Sequence, residues 1–211
     1  MIESARNFKL LTTDDLSGEN EYKKILKFFP GFDYHHCMEP ERIDYRRPDN
    51  IAGYQQRAFM VYWAIEWCGK KNEPGIEFGS GGCFEPYVIN TDMRPGSHMQ
   101  INCESHEDLK QFKNGEFNLI LTNHVMEHLS SDIERLFRGE WLRILKPGGI
   151  IAGVVPDAQY GDVMSYDPDH KQCWTAHEFR ALLEKMGDVL ELIEIDTFNN
   201  HFSFNFVTKK R

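Results

Sequence analysis

The sequence predicts an α/β protein with a doubly wound, mostly parallel seven-stranded sheet and helices on both faces. Three observations lead to this class. Strands and helices alternate along most of the chain, as in a parallel sheet with crossover helices. A glycine-rich turn directly follows the first strand. The last two strands are joined only by Asn199–His201, which favours a C-terminal antiparallel hairpin. The predicted architecture is therefore a three-layer α/β/α arrangement.

The first 48 residues do not share this alternation. Glu21–Phe29 has the spacing of a short helix that ends at Pro30, and no clear period follows up to Pro48. We therefore divide the chain into an N-terminal extension, residues 1–48, expected to cover the active site, and a main domain, residues 49–211.

Each strand of the main domain is predicted from a short apolar run. The first strand ends near Glu77, and the fourth is almost continuously apolar, as expected for a strand covered on both faces. The later strands are predicted at Tyr87–Asp92, Met99–Asn102, Phe117–Thr122, Ile150–Val155, Val189–Thr197 and Phe202–Thr208.

The predicted helices rest on apolar periodicity and on capping signals. A long helix is predicted from Asn50 to Cys68, and a weaker one would bury Leu109 and Phe112. Two capping boxes are predicted at helix starts, Ser131-x-x-Glu134 for a helix through Leu145 and Thr175-x-x-Glu178 for a helix ending at Gly187.

Composition limits the classes of function. The chain has 211 residues, 41% hydrophobic content and a formal net charge of −9, which disfavours a broad nucleic-acid-binding surface. No apolar run approaches the roughly 20 residues that span a membrane, and no signal peptide is apparent, so a cytoplasmic protein without membrane association is expected. Five scattered cysteines favour reduced thiols, and no metal is expected, even at His35-His36-Cys37.

The turn after the first strand predicts a cofactor site. Gly79, Gly81 and Gly82 would allow a ligand to approach the backbone closely. Glu77 precedes them and suits a ligand with a positive amino group. A dinucleotide site would need a third spaced glycine and a following helix, but Phe84 stands in that position. A nicotinamide-dependent enzyme is therefore the less favoured reading.

Asp92, at the end of the second strand, is a candidate ribose ligand. A carboxylate there can accept hydrogen bonds from both ribose hydroxyls, and Met93 could pack on an adenine face. The alternative is that Asp92 only starts a turn.

Taken in order, these motifs resemble the class I S-adenosylmethionine-dependent methyltransferases, particularly the methyltransferase type 11 group. The resemblance spans about residues 74–208. It is carried by Glu77–Gly82, Asp92, Phe117–Leu129 and Leu142–Gly149, the last two being similar to the family's "FDLV…HVLEHL" and "RVLKPGG" signatures.

The resemblance implies a Rossmann-like fold, S-adenosylmethionine as cofactor and S-adenosylhomocysteine as product. It places Glu104 near the adenine, where the family often has an aspartate. The cofactor-binding residues that it implies are Glu77, Phe78, Gly79, Ser80, Gly81, Asp92, Met93, Glu104, Asn123 and His124.

Three histidines are candidate catalytic residues because imidazole exchanges protons near neutral pH. His124 and His128 follow the fourth strand, and His170 would lie on a lid over the substrate. Packing of Glu127-His128 at a helix entry and a plain polar turn around His170 are the alternatives.

The predicted activity is O- or N-methylation of a small-molecule or glycan-type acceptor. Asn123-His124-Val125-Met126 stands where nucleic-acid amino-methylating enzymes often carry Asn-Pro-Pro-Tyr, so nucleic acid is disfavoured. A non-catalytic cofactor-binding protein of the same fold is the alternative. The oligomeric state is left open.

Overall fold

The structure is a computed structural model that describes residues 75–79, 88–92, 101–102, 109–159, 161–197 and 203–211. The predicted N-terminal extension and the predicted helix over residues 50–68 lie outside these ranges. Among the described residues, no helix combines the length and apolar character needed to cross a bilayer.

The described strands form one mixed sheet. Its spatial order is β3-β2-β1-β4-β5-β7-β6, with β1 to β5 parallel and β7 antiparallel to both β5 and β6. The predicted α/β, Rossmann-like class is confirmed. The strands are β1 (Gly75–Phe78), β2 (Val88–Asp92), β3 (Ile101–Asn102), β4 (Phe117–Asn123), β5 (Leu145–Pro156), β6 (Leu190–Thr197) and β7 (Ser203–Lys210).

The strand order creates a switch point between β1 and β4. The chain adds β2 and β3 on one side of β1 and then continues with β4 on the other side. Phe78 pairs in register with Thr91 of β2 and Thr122 of β4, so the carboxyl ends of these strands meet at one edge. Ligands of open α/β sheets bind at such an edge.

One large apolar cluster packs against the sheet. Phe78 of β1 lies 5.2 Å from Trp141, measured between ring centroids, and Phe137 lies 5.0 Å from the same ring. All three side chains are fully buried. Burial of each such side chain contributes roughly 1.5–3 kcal/mol, so this cluster fixes β1 against the helical layer.

The helical segment after β4 differs from the prediction of one continuous helix. It consists of α1 (Ile133–Leu136), a π-helical turn (Phe137–Trp141) and α2 (Leu142–Ile144). The predicted cap at Ser131 is wrong, because the Asp132 carboxylate accepts the Arg135 N–H at 2.8 Å. The break has a local cause, since Gly139 adopts φ −85° and ψ −113°, outside the helical region.

The predicted weak helix is not seen at Leu109 and Phe112, and residues 103–108, where it would begin, lie outside the described ranges. Residues 109–116 form turns, although Leu109 and Phe112 are buried as expected. The Arg143 side chain stabilises these turns because it donates hydrogen bonds to the Leu109 and Phe112 carbonyl groups.

Two further helices follow β5. α3 (Val163–Tyr166) was not predicted, and Asp162 caps it by accepting the Ser165 N–H. α4 (Ala176–Lys185) begins with the predicted capping box, in which Thr175 and Glu178 bond each other's backbone N–H groups.

Candidate functional site

The site begins at the turn after β1. Gly79 has φ +67°, a conformation that glycine adopts without strain. A Cβ atom on Gly79 would collide with the Val125 side chain, which follows β4. The neighbouring Phe78 side chain points into the core, so only the backbone of Phe78 is available to a ligand in the turn.

Glu77 and Asn123 form a buried polar pair on the other face of the sheet. Asn123 Nδ2 donates to Glu77 Oε1 at 3.1 Å, because a carboxylate can only accept. Asn123 Oδ1 is buried and accepts no hydrogen bond from residues of the described ranges. Two adjacent acceptors fit a ligand that brings hydrogen-bond donors, such as the ammonium group of S-adenosylmethionine.

The structure describes only some of the other predicted cofactor ligands. Asp92 is the last residue of β2, at the same edge as Glu77, and its backbone pairs with Asn102 of β3. Ser80, Gly81, Met93 and Glu104 lie outside the described residues.

His124 occupies a strained position directly after β4. Its φ is +51°, which costs a non-glycine residue about 1–2 kcal/mol. The His124 N–H donates to the Val154 carbonyl of β5 at 2.9 Å, which holds the turn in this conformation. The side chain is one-third exposed, and its Nδ1 atom lies 3.3 Å from Glu127 Oε1. Strain of this kind is concentrated at functional sites.

His128 and His170 come together from different segments. Their ring centroids are 4.7 Å apart with an interplanar angle of 65°. His128 ends the 3-10 turn Met126–His128, and His170 follows α3. His170 Nδ1 lies 2.7 Å from the Val163 carbonyl oxygen, which can only accept, so Nδ1 carries the proton and Nε2 keeps the lone pair of neutral imidazole.

A cavity of about 540 Å³ lies beside the carboxyl ends of β4 and β5. The three predicted catalytic histidines all line it. The lining consists of His124, Glu127, His128, Pro156, Asp157, Gly161, Asp162, Val163, Tyr166, Asp167 and His170. A site of this volume accommodates a small molecule.

Sequence reasoning missed part of this wall. The sequence indicates that Glu127 packs at a helix entry. In the structure it is fully buried beside the histidines. α3 was taken for loop, although Asp162-x-x-Ser165 carries a capping signal that indicates a helix start. Asp157, which follows β5, is buried and also lines the cavity.

A protein-family model matches part of the chain. Residues 85–153 match the model of a family described as "Methyltransferase domain", the type 11 group. A search of curated proteins finds no match.

Several solved structures share the fold. A SAM-dependent methyltransferase from Archaeoglobus fulgidus is 17% identical, covers 78% of this chain and 96% of its own, and gives a TM-score of 0.52. A methyltransferase from Mesorhizobium loti is 12% identical, with coverages of 71% and 98% and a TM-score of 0.51. A geranyl diphosphate methyltransferase is 12% identical, with coverages of 84% and 86% and a TM-score of 0.55.

The described strands have the Rossmann-like α/β fold of these solved methyltransferases, and residues 85–153 match the methyltransferase family model. These findings support a class I S-adenosylmethionine-dependent methyltransferase, as the motif resemblance predicts, and imply S-adenosylmethionine as the cofactor. When bound, this cofactor supplies an activated methyl group on a sulfonium centre.

Proposed function

We propose that this enzyme methylates an oxygen or nitrogen atom of a small-molecule or glycan-type acceptor bound in the histidine-lined cavity. The observation that carries the proposal is the position of the cavity. His124 lines it and directly follows Asn123, the last residue of the strand adjacent to β1 and its glycine turn. An acceptor in it would therefore lie next to the proposed cofactor site.

The cofactor would be held at the switch point. Glu77 and Asn123 would accept hydrogen bonds from its ammonium group, and Asp92 would accept from the ribose hydroxyls. Gly79 would leave room for the methionine part. Ser80, Gly81, Met93 and Glu104 remain proposed ligands on the strength of the motif resemblance.

The histidines would serve the acceptor. A hydroxyl or protonated amine must lose a proton on methylation, and an imidazole nitrogen beside the reacting atom would take it. His124 is the strongest candidate because it follows the strand that carries Asn123 and remains partly exposed. His170 and His128, which line the same cavity, would bind or orient the acceptor.

The charge of the site supports a small acceptor over a nucleic acid. Asp157, Asp162 and Asp167 line the cavity together with Glu127, and the whole chain carries a formal charge of −9. A polymer of phosphates needs basic side chains along its path. Acidic lining instead favours hydroxyl and amino groups, which donate hydrogen bonds.

This function is tested by separating cofactor binding from turnover. Calorimetry with S-adenosylhomocysteine should show binding, and Asp92→Ala should weaken it at least tenfold, because the ribose would lose charge-assisted hydrogen bonds. Methyl transfer would be followed by mass spectrometry with panels of hydroxylated and amine-bearing small molecules and sugars. We expect His124→Ala to lower kcat on any accepted substrate while S-adenosylhomocysteine affinity stays the same.

His177→Ala is the matched control, since His177 is exposed on α4 and does not line the cavity. Binding of S-adenosylhomocysteine without methylation of either panel would favour the non-catalytic alternative. Equal turnover in His124→Ala and His177→Ala would remove His124 from the mechanism.

A further inference from the structure

We propose that Glu127, His128 and His170 bind one divalent transition-metal ion in the wall of the cavity. One ligand atom from each residue lies within 4.8 Å of the other two. The residues come from two separate segments, so their proximity is created by the fold. The sequence analysis expected no metal and considered only the scattered cysteines and His35-His36-Cys37.

The buried carboxylate is the first observation. Glu127 is fully buried, and neither of its oxygens accepts a hydrogen bond from a residue of the described ranges. His124 Nδ1 lies 3.3 Å from Oε1, within ion-pair distance but without hydrogen-bond geometry, and Oε2 has no partner among the described residues. A charge buried in this way is costly unless it is paired or coordinates a metal.

The orientation of His170 is the second observation. Its Nδ1–H donates to the Val163 carbonyl, which leaves the Nε2 lone pair available. Histidines that bind metals almost always donate their other ring N–H to such an acceptor, because this fixes both tautomer and ring direction. The backbone is held as well, since Lys171 N–H and Gln172 N–H donate to the Glu127 carbonyl at 2.6 and 3.1 Å.

Only small movements would complete the coordination. An ion central among three atoms that lie within 4.8 Å of one another would be at most about 2.8 Å from each, so shifts of at most about 0.7 Å would give the roughly 2.1 Å bonds of zinc. His128 is the least buried of the three, so its side chain has the most room for such a shift.

The ligand set selects the kind of metal. Two imidazoles and one carboxylate suit Zn²⁺, Fe²⁺ or Mn²⁺ and leave one or more positions open for water or substrate. Mg²⁺ and Ca²⁺ prefer oxygen ligands throughout. The three residues all line the cavity, so the open positions would face its interior.

The role of this ion rests on the proposed function, although its binding does not. An acceptor oxygen bound at an open position would be fixed beside His124, and the metal would stabilise the deprotonated oxygen while the proton passes to the His124 imidazole. His124 is not needed as a ligand and would keep the base role proposed above.

The test is metal binding, measured without cofactor. Chelator-treated protein would be titrated with Zn²⁺, and separately with Mn²⁺ and Mg²⁺, by calorimetry. We expect one Zn²⁺ per chain, at least tenfold weaker Mg²⁺ binding, and at least a tenfold loss of Zn²⁺ affinity in Glu127→Gln, His128→Ala and His170→Ala. Circular dichroism would establish that each variant is folded. The use of three variants keeps the test valid if one of them does not fold.

Glu184→Gln and His177→Ala are the controls, because both residues are exposed on α4. The proposal is overturned if no Zn²⁺ binds at high micromolar concentration, or if all folded site variants bind Zn²⁺ as tightly as the controls. S-adenosylhomocysteine affinity should not change when the metal is removed. Failure of metal binding therefore leaves the proposed methyl transfer standing, and failure of cofactor binding leaves the metal site standing.

Discussion

At the scale of a single residue, Gly79 lies where the turn after β1 packs against the turn after β4. Its positive φ directs the chain away from β1, and its missing side chain makes room for Val125, which follows β4. Two independent requirements therefore select glycine here. The same contact sets how close the proposed methionine-binding turn lies to Asn123 and His124.

The substitution Gly79→Ala tests both requirements together. We expect a loss of about 1–3 kcal/mol in the free energy of unfolding, from the unfavourable φ and from the collision with Val125. S-adenosylhomocysteine affinity should fall as well, because the turn must shift. Urea unfolding and calorimetry would measure the two effects.

The double variant Gly79→Ala/Val125→Ala is the control for the collision. Relative to Val125→Ala alone, adding Gly79→Ala should cost less than it does in the natural chain, since only the backbone strain remains. An unchanged cost would show that the Val125 contact does not constrain the turn.

Individual site residues were predictable where the signal is local. Glu77, Asn123 and His124 each stand at the end of a recognisable strand, so topology alone brings them to one edge. The approach of His170 to Glu127 is different, because it depends on how the segment after β5 folds back. Nothing in the spacing of these residues encodes that return.

At the scale of elements, Glu140 and Arg143 hold the turns that precede β4. Arg143 donates to the carbonyl groups of Leu109 and Phe112, both at 2.8 Å. Glu140 accepts from the Leu109 N–H at 3.1 Å and from Arg143 Nη2 at 2.7 Å. This pair satisfies the backbone of the turns that lead into β4.

Glu140→Gln should show a defined pH dependence. The hydrogen bond from Arg143 lowers the pKa of the Glu140 carboxyl, with help from the Leu109 N–H. A lowered folded-state pKa gives stability that is present above the unfolded pKa and is lost as pH falls through the folded one. Urea unfolding should therefore find the variant less stable by about 1–3 kcal/mol at pH 7, with the difference closing below about pH 4.

Glu184→Gln, on the exposed face of α4, should show no comparable gap at either pH. A gap for Glu140→Gln that persists undiminished at pH 3 would mean that side-chain shape, and not charge, holds the turns.

Element types were predicted better than their details. Strands β4 and β5 carry continuous apolar runs, and the Thr175 cap of α4 follows a four-residue signal. The interruption at Gly139 was not predictable, because an isolated glycine inside an apolar helical pattern is usually tolerated. Packing of Phe137 and Trp141 into the core, on either side of Gly139, accompanies the break.

At the scale of the whole molecule, the chain from Asp157 to Trp174 crosses the carboxyl edge of the sheet and closes one side of the cavity. Its two ends are tied by a parallel bridge between Asp157 and Trp174. Near its return, Gln172 Nε2 donates to the carbonyl groups of Leu129 and Ser131 at 2.5 and 2.9 Å. These hydrogen bonds attach the segment Asp157–Trp174 to the segment that carries Glu127 and His128.

Removing the Gln172 side chain should loosen this closure without touching the cofactor edge. Gln172→Ala loses two hydrogen bonds worth about 0.5–1.5 kcal/mol each, so amide exchange across residues 161–172 should become faster. Because His170 would then be held less firmly, KM for an accepted substrate should rise severalfold while S-adenosylhomocysteine affinity stays constant. Gln159→Ala, at an exposed position of the same segment, is the matched control. If cofactor affinity falls as much as acceptor affinity, the segment supports the whole edge of the sheet and is not a lid for the acceptor alone.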